Sequence, residues 1–342
     1  MSTAATPRRT TRGPAWDTSP QPRRGQGLLV VLAMCFLVPA VTATVLRVFP
    51  PTDDAPALAA SFISYGLLGY LGALVPVAVT LVRARRRGVL IVVLLLVLGL
   101  SAAHLAWLGP LFVRDDRTVS TPTITVLSLN VFRGEADPRA IAAAAQRVDA
   151  VILVETTPEW LRSLKPLGWD ERFPYALGDP ADGNFNTAVY SRFPLSGSAL
   201  IGPAVFHQWL TTVEAPGVGT IRLAAVHPCN PYCGGNQWQS EHAALRAVLR
   251  PHLDEPMIVA GDFNAVDDHG PMLQLRSDGL RSATDLAGAG WLPTYPANRA
   301  IPPLLPIDHV LLSRRLTATS VHRIRVAGTD HLGLVATIAG TG

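Results

Sequence analysis

PMIVAGDFNA (256–265) changes character halfway along. Residues 257–260 are an apolar run that reads as a buried strand. Gly261-Asp262-Phe263-Asn264 is turn chemistry, and a turn there aims the Asp262 and Asn264 side chains to the same side. Turn capping would explain that pair equally well when it is read alone. What decides the fold is that the same arrangement, an apolar strand ending in a polar cluster, recurs on both sides of it.

Toward the N-terminus, 237–253 is an amphipathic helix, and GTIRLAAVH (219–227) is a strand ending in His227. FHQWLTTVEA (206–215) and NTAVYSRFPL (186–195) are predicted strands. AVILVE (150–155) is a buried strand ending in Glu155, and ITVLSLNV (124–131) carries Asn130 near its end. Helices are predicted over 137–148 and from 157 to 164, each opening with a cap residue followed by Pro. Toward the C-terminus, IDHVLLS (307–313), ATSVHRIRV (318–326) and HLGLVATI (331–338) are strands flanked by Asp308 and by Asp330-His331. Strands outnumber helices and several are consecutive, which predicts a layered α+β domain.

Strand ends at one edge of a sheet converge, and α/β enzymes place their sites there. Read singly, Asn130 is a turn former and His227 a strand-end histidine. Glu155 is odder, because burial of an unpaired carboxylate is costly. As a set, carboxylates and amide oxygens suit a hard divalent cation such as Mg²⁺. Imidazoles beside them supply acid/base capacity and phosphate contacts.

The first third of the chain is different. Of 342 residues, 49% are hydrophobic and only 16% charged, against roughly 25% charged in ordinary soluble domains. Residues 1–119 hold 12 Arg and 5 acids, and residues 120–342 hold 17 Lys+Arg and 20 acids. The net +4 of the chain is therefore +7 in the first part and −3 in the second. Charge-free stretches at 25–46, 55–82 and 88–113 each reach the ~20 residues that span a bilayer as a helix. Spans are predicted at about 27–46, 57–82 and 89–111. Trp107 suits an interface belt, and His104 is a packing residue. Arg8, Arg9, Arg12, Arg23 and Arg24 precede the first span, and Arg83, Arg85, Arg86 and Arg87 follow the second. The positive-inside rule makes the 1–24 segment cytoplasmic and everything after the third span extracytoplasmic. A cleaved twin-arginine signal is the competing reading of the first span. Residues 114–121 are a polar linker and 122–342 the exported domain. Three cysteines exclude a disulfide-dense scaffold.

The order SLNV, Glu155, His227, GDFNA, Asp308-His309, Asp330-His331 resembles the endonuclease/exonuclease/phosphatase superfamily, the deoxyribonuclease-I-like group. The resemblance runs from about residue 123 to 338. It implies a four-layer α/β sandwich and a Mg²⁺-dependent phosphoesterase, with Mn²⁺ as a substitute. It implies Asn130, Glu155 and Asp330 at the metal. It implies that Asp262 and Asn264 orient water and phosphoryl oxygens, that His227 donates to phosphate, and that His331 paired with Asp308 serves acid/base catalysis. An Asp–His pair has its own logic, since the carboxylate fixes the tautomer and raises imidazole basicity. The sequence departs from the pattern at Leu153, where many members have Gln, at Phe132, where nucleases often have Asp, and at Thr329, commonly Ser. Phe132 weakens an abasic-site nuclease reading. Three spans ahead of the domain resemble multi-pass bacterial members.

The substrate remains open between nucleic acid, a phospholipid headgroup and a small phosphoester, and the bilayer is a partner through the three helices. The net −3 disfavours a backbone-driven nucleic-acid binder, and Arg314, Arg315, Arg323 and Arg325 are either a local basic patch or only a solvated face on alternating strand positions. A non-catalytic phosphate-binding module on the same fold is the alternative. Cys229 and Cys233 are either a short loop-bracing disulfide or two free thiols. Trp291 and Tyr295 fall in a loop that could line the cleft.

Overall fold

The computed structural model describes residues 25–119, 122–178 and 186–341. The basic 1–24 segment lies outside them. Helix α1 (Gln26–Val48) comes first, then α2 (Asp54–Ala60), α3 (Gly66–Arg83) and α4 (Gly88–Leu108), which continues as a 3-10 turn to Phe112. The three segments Gln26–Val48, Asp54–Arg83 and Gly88–Phe112 are long and apolar enough to cross a membrane. Small residues let α1 and α3 approach closely: a Cβ added at Gly69 would lie 2.8 Å from the Ala40 methyl.

The second segment is not the continuous helix expected over 57–82. A 3-10 turn, Ile63–Tyr65, separates α2 from α3. The break lets α2 leave the bundle and dock on the domain beyond it. Ala57 is fully buried in a cluster with Trp238, Phe263 and Met272. His269 Nε2 donates to the Ala57 carbonyl at 2.9 Å. Ser64 donates to Asp268 at 2.8 Å, and Arg47 pairs with the other oxygen of Asp268 at 2.8 Å.

The domain runs β1 (Ile124–Asn130), α5 (Pro138–Ala144), β2 (Ala150–Thr156), α6 (Pro158–Leu164), α7 (Trp169–Arg172), β3 (Tyr175–Leu177), β4 (Asn186–Ser191), β5 (Leu195–Leu200), β6 (Trp209–Ala215) and β7 (Gly219–Val226). It continues through α8 (Gln237–Leu249), β8 (Met257–Asp262), α9 (Gly270–Asp278), β9 (Arg281–Ser282), α10 (Ala283–Ala287), β10 (Asp308–Leu312), β11 (Leu316–Ile324) and β12 (Gly333–Gly340). The strands form two six-stranded sheets, ordered β11-β12-β1-β2-β4-β3 and β5-β6-β7-β8-β10-β9.

Period-two alternation builds the layers. Ile124, Val126, Ala150, Ile152 and Val154 point between the sheets and meet Ile221, Leu223, Ala225, Ile258 and Ala260. The alternate residues Leu127, Leu129, Val151 and Leu153 pack outward against Ile141, Trp160 and Leu161 of α5 and α6. On the other side, Ala224, Val226 and Val259 meet Trp238, Leu245 and Leu249 of α8. Helix, sheet, sheet, helix is the four-layer α+β sandwich, the deoxyribonuclease-I-like fold.

Two local expectations change. Residues 186–195 are not one strand: Ser191 Oγ accepts from Phe193 N at 3.0 Å, Pro194 follows, and the chain crosses from β4 in one sheet to β5 in the other. The described part of the 114–121 linker is docked, since Asp115 N donates to Leu286 O at 2.9 Å and Arg281 pairs with Asp115 at 2.7 Å.

Candidate active site

Each sheet contains one parallel pair. β1 lies beside β2 with Asn130 opposite Val154, and β7 beside β8 with Val226 opposite Gly261. All four strands therefore deliver their C-terminal ends to one edge. Glu155 follows Val154 inside a β2–β4 irregularity with φ +59°, and Asn264 has φ +48°. Left-handed backbone at non-glycine residues costs free energy, and such residues cluster at functional sites. Gly261 has φ +153°, and a Cβ there would collide with the Val226 carbonyl. Only glycine lets β8 press against β7 just before Asp262.

Asn130 stands at the centre. Its amide nitrogen donates to Glu155 Oε1 at 3.0 Å and to Asp262 Oδ2 at 3.1 Å, while its oxygen accepts from Phe132 N at 2.8 Å. Arg133 N donates to the other Glu155 oxygen at 3.1 Å, and Asn264 N donates to Asp262 Oδ1 at 2.8 Å. His331 Nδ1 meets Asp308 Oδ2 at 2.7 Å, and its Nε2 lies 3.7 Å from Asp262 Oδ2 and 3.9 Å from Asp330 Oδ1. His227 Nε2 lies 3.8 Å from Glu155 and 3.9 Å from Asp262. Its ring stacks on Phe206 with centroids 4.5 Å apart. Thr329 Oγ1 donates to the Asn130 carbonyl at 2.7 Å and accepts from His331 N at 3.1 Å. The replacement for the usual Ser thus ties the β12 approach to the β1 end.

Burial sets the electrostatics. It pushes the Glu155, Asp262 and Asp330 carboxyls above the usual carboxylate range. It also pulls His227 down to about 4. At His331, burial is opposed by Asp308, then Asp262 and Asp330, and together these push the imidazole up to about 10. Among these groups, His331 is where positive charge is favoured.

This donor set fits a cation. Asp330 Oδ1 and Asp308 Oδ1 are buried without a hydrogen-bond partner, and carboxylates crowd around a single amide. Asp262, Asp308 and His331 offer ligand atoms within 4.8 Å of one another. Asp308 and His331, however, spend their facing atoms on each other. A hard cation prefers oxygen donors, and Glu155, Asp262 and Asp330 crowd carboxylate oxygens around this point.

Residues 127–331 match the model of the Endonuclease/Exonuclease/phosphatase family. The chain belongs to this family. Family members are phosphoester hydrolases. No curated protein matches the chain by sequence. Among solved structures, an endonuclease/exonuclease/phosphatase from Bacteroides vulgatus is 13% identical, with TM-score 0.54 over 64% of this chain and 100% of its own. One from Beutenbergia cavernae is 18% identical, with TM-score 0.51 over 65% and 72%. D. rerio TDP2, complexed with single strand DNA product, is 19% identical, with TM-score 0.50 over 64% and 99%. At these identities the likeness is one of fold.

In this endonuclease/exonuclease/phosphatase family member, Asn130, Glu155, His227, Asp262, Asn264, Asp308, Asp330 and His331 all gather at one cleft of about 500 Å³ or directly behind it. Asn264 also donates from its side chain to Pro228 O at 3.0 Å, so it braces the His227 loop. Tyr295 lines the cleft, its ring centroid 5.0 Å from that of His331. Trp291 does not; it packs edge-on against Tyr65. Arg323 and Arg325 donate to Pro293 O and Ala297 O and hold the Tyr295 loop, with Arg325 still exposed. Cys229 and Cys233 are joined as a disulfide. Buried Glu241 accepts from Cys229 N and Val205 N. Leu58, Ser61 and Phe62, not expected from the sequence, also line the cleft from the apolar α2–α3 hairpin. A polar Ser breaking a hydrophobic run beside Asp53-Asp54 was the available signal.

Proposed function

We propose that this chain is a membrane-anchored, extracytoplasmic, Mg²⁺-dependent phosphoesterase that hydrolyses its substrate by in-line attack of water. One observation carries the reading: an oxygen-rich cluster and an Asp–His pair meet around Asp262 in one cleft. Glu155, Asn130 and Asp330 would hold the cation, and Mn²⁺ could replace Mg²⁺. When bound, the cation supplies Lewis-acid stabilisation of the phosphoryl oxygens.

The remaining chemistry belongs to the side chains. Asn130 holds Glu155 and Asp262 in fixed relation. Asp262, anchored by Asn264 N, turns its second oxygen toward the cleft and positions the attacking water. His331, oriented by Asp308, carries the proton exchanged with water and leaving group. Neutral His227 offers a ring nitrogen to a phosphoryl oxygen. Catalysis here is positioning plus preorganised electrostatics.

The experiment uses the full chain in nanodiscs with Mg²⁺ and bis(p-nitrophenyl) phosphate. Asp262→Ala and His331→Ala each lower kcat by about 10³-fold, within the usual worth of an acid/base group, and a chelator abolishes turnover. Full activity in both variants overturns the assignment.

The orientation is supported by the arginine loop at 83–87 and by the disulfide in the exported part. A C-terminal alkaline phosphatase fusion is expected to be active in a bacterial host. An inactive fusion, with the chain intact in the membrane, reverses the topology. Single strand DNA is bound by D. rerio TDP2, but the acidic domain and the hydrophobic wall from α2 point away from nucleic acid here.

A further inference from the structure

A second cavity adjoins the cleft. It is a groove of about 410 Å³ between α1 and the α2–α3 hairpin, walled by Pro39, Ala43 and Leu46 on one side and Ala59, Tyr65 and Gly69 on the other. Its few polar groups are occupied: Thr42 Oγ1 donates to Val38 O at 2.9 Å, and the Tyr65 hydroxyl donates to Leu304 O at 2.7 Å. Among the described residues lining it, both hydroxyl protons are thus already committed, and the rest of the wall is apolar. Residues 39–46 rise about 10 Å along α1, so the groove runs into the depth that the apolar helices assign to hydrocarbon.

Phe62 lines both cavities and is 49% exposed. Around it, Leu58 and Ser61 face the cleft, while Ala59 and Tyr65 face the groove. The hairpin is fastened where this matters, by His269 to Ala57 and by Ser64 and Arg47 to Asp268. A polar cleft and an apolar intramembrane groove therefore share one wall that is held rigidly to the catalytic loops.

We propose that the substrate is a membrane lipid whose phosphoester occupies the cleft while one hydrocarbon chain remains between α1 and α3. The proposal rests on the phosphoesterase reading and names its substrate class. The water oxygen bonds to phosphorus as the bond from phosphorus to the leaving oxygen breaks, and the water's proton ends on that oxygen. Nothing is oxidised or reduced. Because lipid tails are already in an apolar solvent, the groove contributes register and orientation more than raw affinity.

The test compares wild type with Ala59→Trp and Thr42→Trp, which fill the groove from opposite walls at exposed positions. Full-length protein in dioleoyl phosphatidylcholine nanodiscs turns over bis(p-nitrophenyl) phosphate, with butyl phosphate or tetradecyl phosphate as inhibitor. The ratio of butyl to tetradecyl inhibition constants is expected to fall at least tenfold in both variants, because partitioning into the bilayer is common to all three proteins. An unchanged ratio overturns the proposal. A tetradecyl phosphate carrying a terminal diazirine gives a readout independent of turnover. Crosslinks concentrated at 39–46 and 59–69, and lost in Ala59→Trp, support the groove. Labelling spread over the exposed face of α4 overturns it. Absent hydrolysis with localised crosslinks would sink the phosphoesterase reading while leaving lipid binding standing.

Discussion

In the first sheet, β1 and β2 run parallel with α5 between them and end at Asn130 and Glu155. In the second, β7 and β8 run parallel with α8 between them and end at His227 and Asp262. Both halves place one acidic residue just past or at the end of the second strand, and both contain a left-handed residue nearby, Glu155 and Asn264. They differ in what covers them. The outer face of the first sheet is closed by its own α5, α6 and α7. The outer cluster of the second sheet includes Ala57 from the membrane hairpin. The second half, which carries the Asp262 loop, is thus completed by the α2 segment of the apolar N-terminal helices. Domain and helices pack together on that side, while the first half closes by itself.

The equivalent strand positions Val154 and Gly261 give the sharpest way to break this comparison. Gly261→Ala forces a methyl into the Val226 carbonyl, and neither parallel strand can shift without losing the ladder. A loss of about 3 kcal/mol or more is expected, read as aggregation on extraction or a collapse of the thermal midpoint. Val154→Ala removes two buried methyl groups from the inter-sheet core and costs about 2 kcal/mol. A Gly261→Ala protein as stable as Val154→Ala would mean that the two pairs tolerate the same spacing, and the glycine would lose its structural reason.

Much of this was legible in the strand ends. Asn130, Glu155, His227, Asp262 and Asn264 close or follow an apolar run, Asp308, Asp330 and His331 open one, and sheet geometry does the rest. The hairpin was not legible, because hydropathy summed over 55–82 averages across the break at Ile63–Tyr65. Whether an apolar residue such as Ala57 faces lipid or protein depends on a partner more than 160 residues away. The split of 186–195 was partly signalled by Pro194, which cannot continue a central strand, but only pairing shows that the two pieces serve two sheets. The bracing role of the His242, His269 and His309 imidazoles was not legible, yet they bond the Phe263 carbonyl, the Val266 amide and the Ala265 carbonyl and brace the loop after Asp262.

His269 offers the next test, since it joins that loop to α2. Burial holds its imidazole down to about 4. The unfolded chain protonates it near 6.5, so its neutral, folded state is favoured above that value and penalised as pH falls through the window to about 4. Relative to His269→Gln, which cannot titrate, wild type is expected to lose about 2 kcal/mol between pH 7 and pH 5. The measurement is the stability difference between the two proteins at both pH values. A constant difference would place the ring in water and detach the hairpin from the second half.

Ser64→Ala carries the smallest expected effect and separates docking from control of the site. The substitution removes one hydrogen bond to Asp268 but leaves Arg47 on the other oxygen. A loss of about 1 kcal/mol is expected, visible as a lower thermal midpoint, with kcat/KM toward a small diester within twofold of wild type. Asp268 lies beyond the loop that holds Asp262 and Asn264, and His269 and Arg47 still fix its neighbours. If turnover instead falls tenfold or more at unchanged stability, the hairpin is tuning the geometry around Asp262. The second half would then depend on the membrane segment for its chemistry as well as its packing.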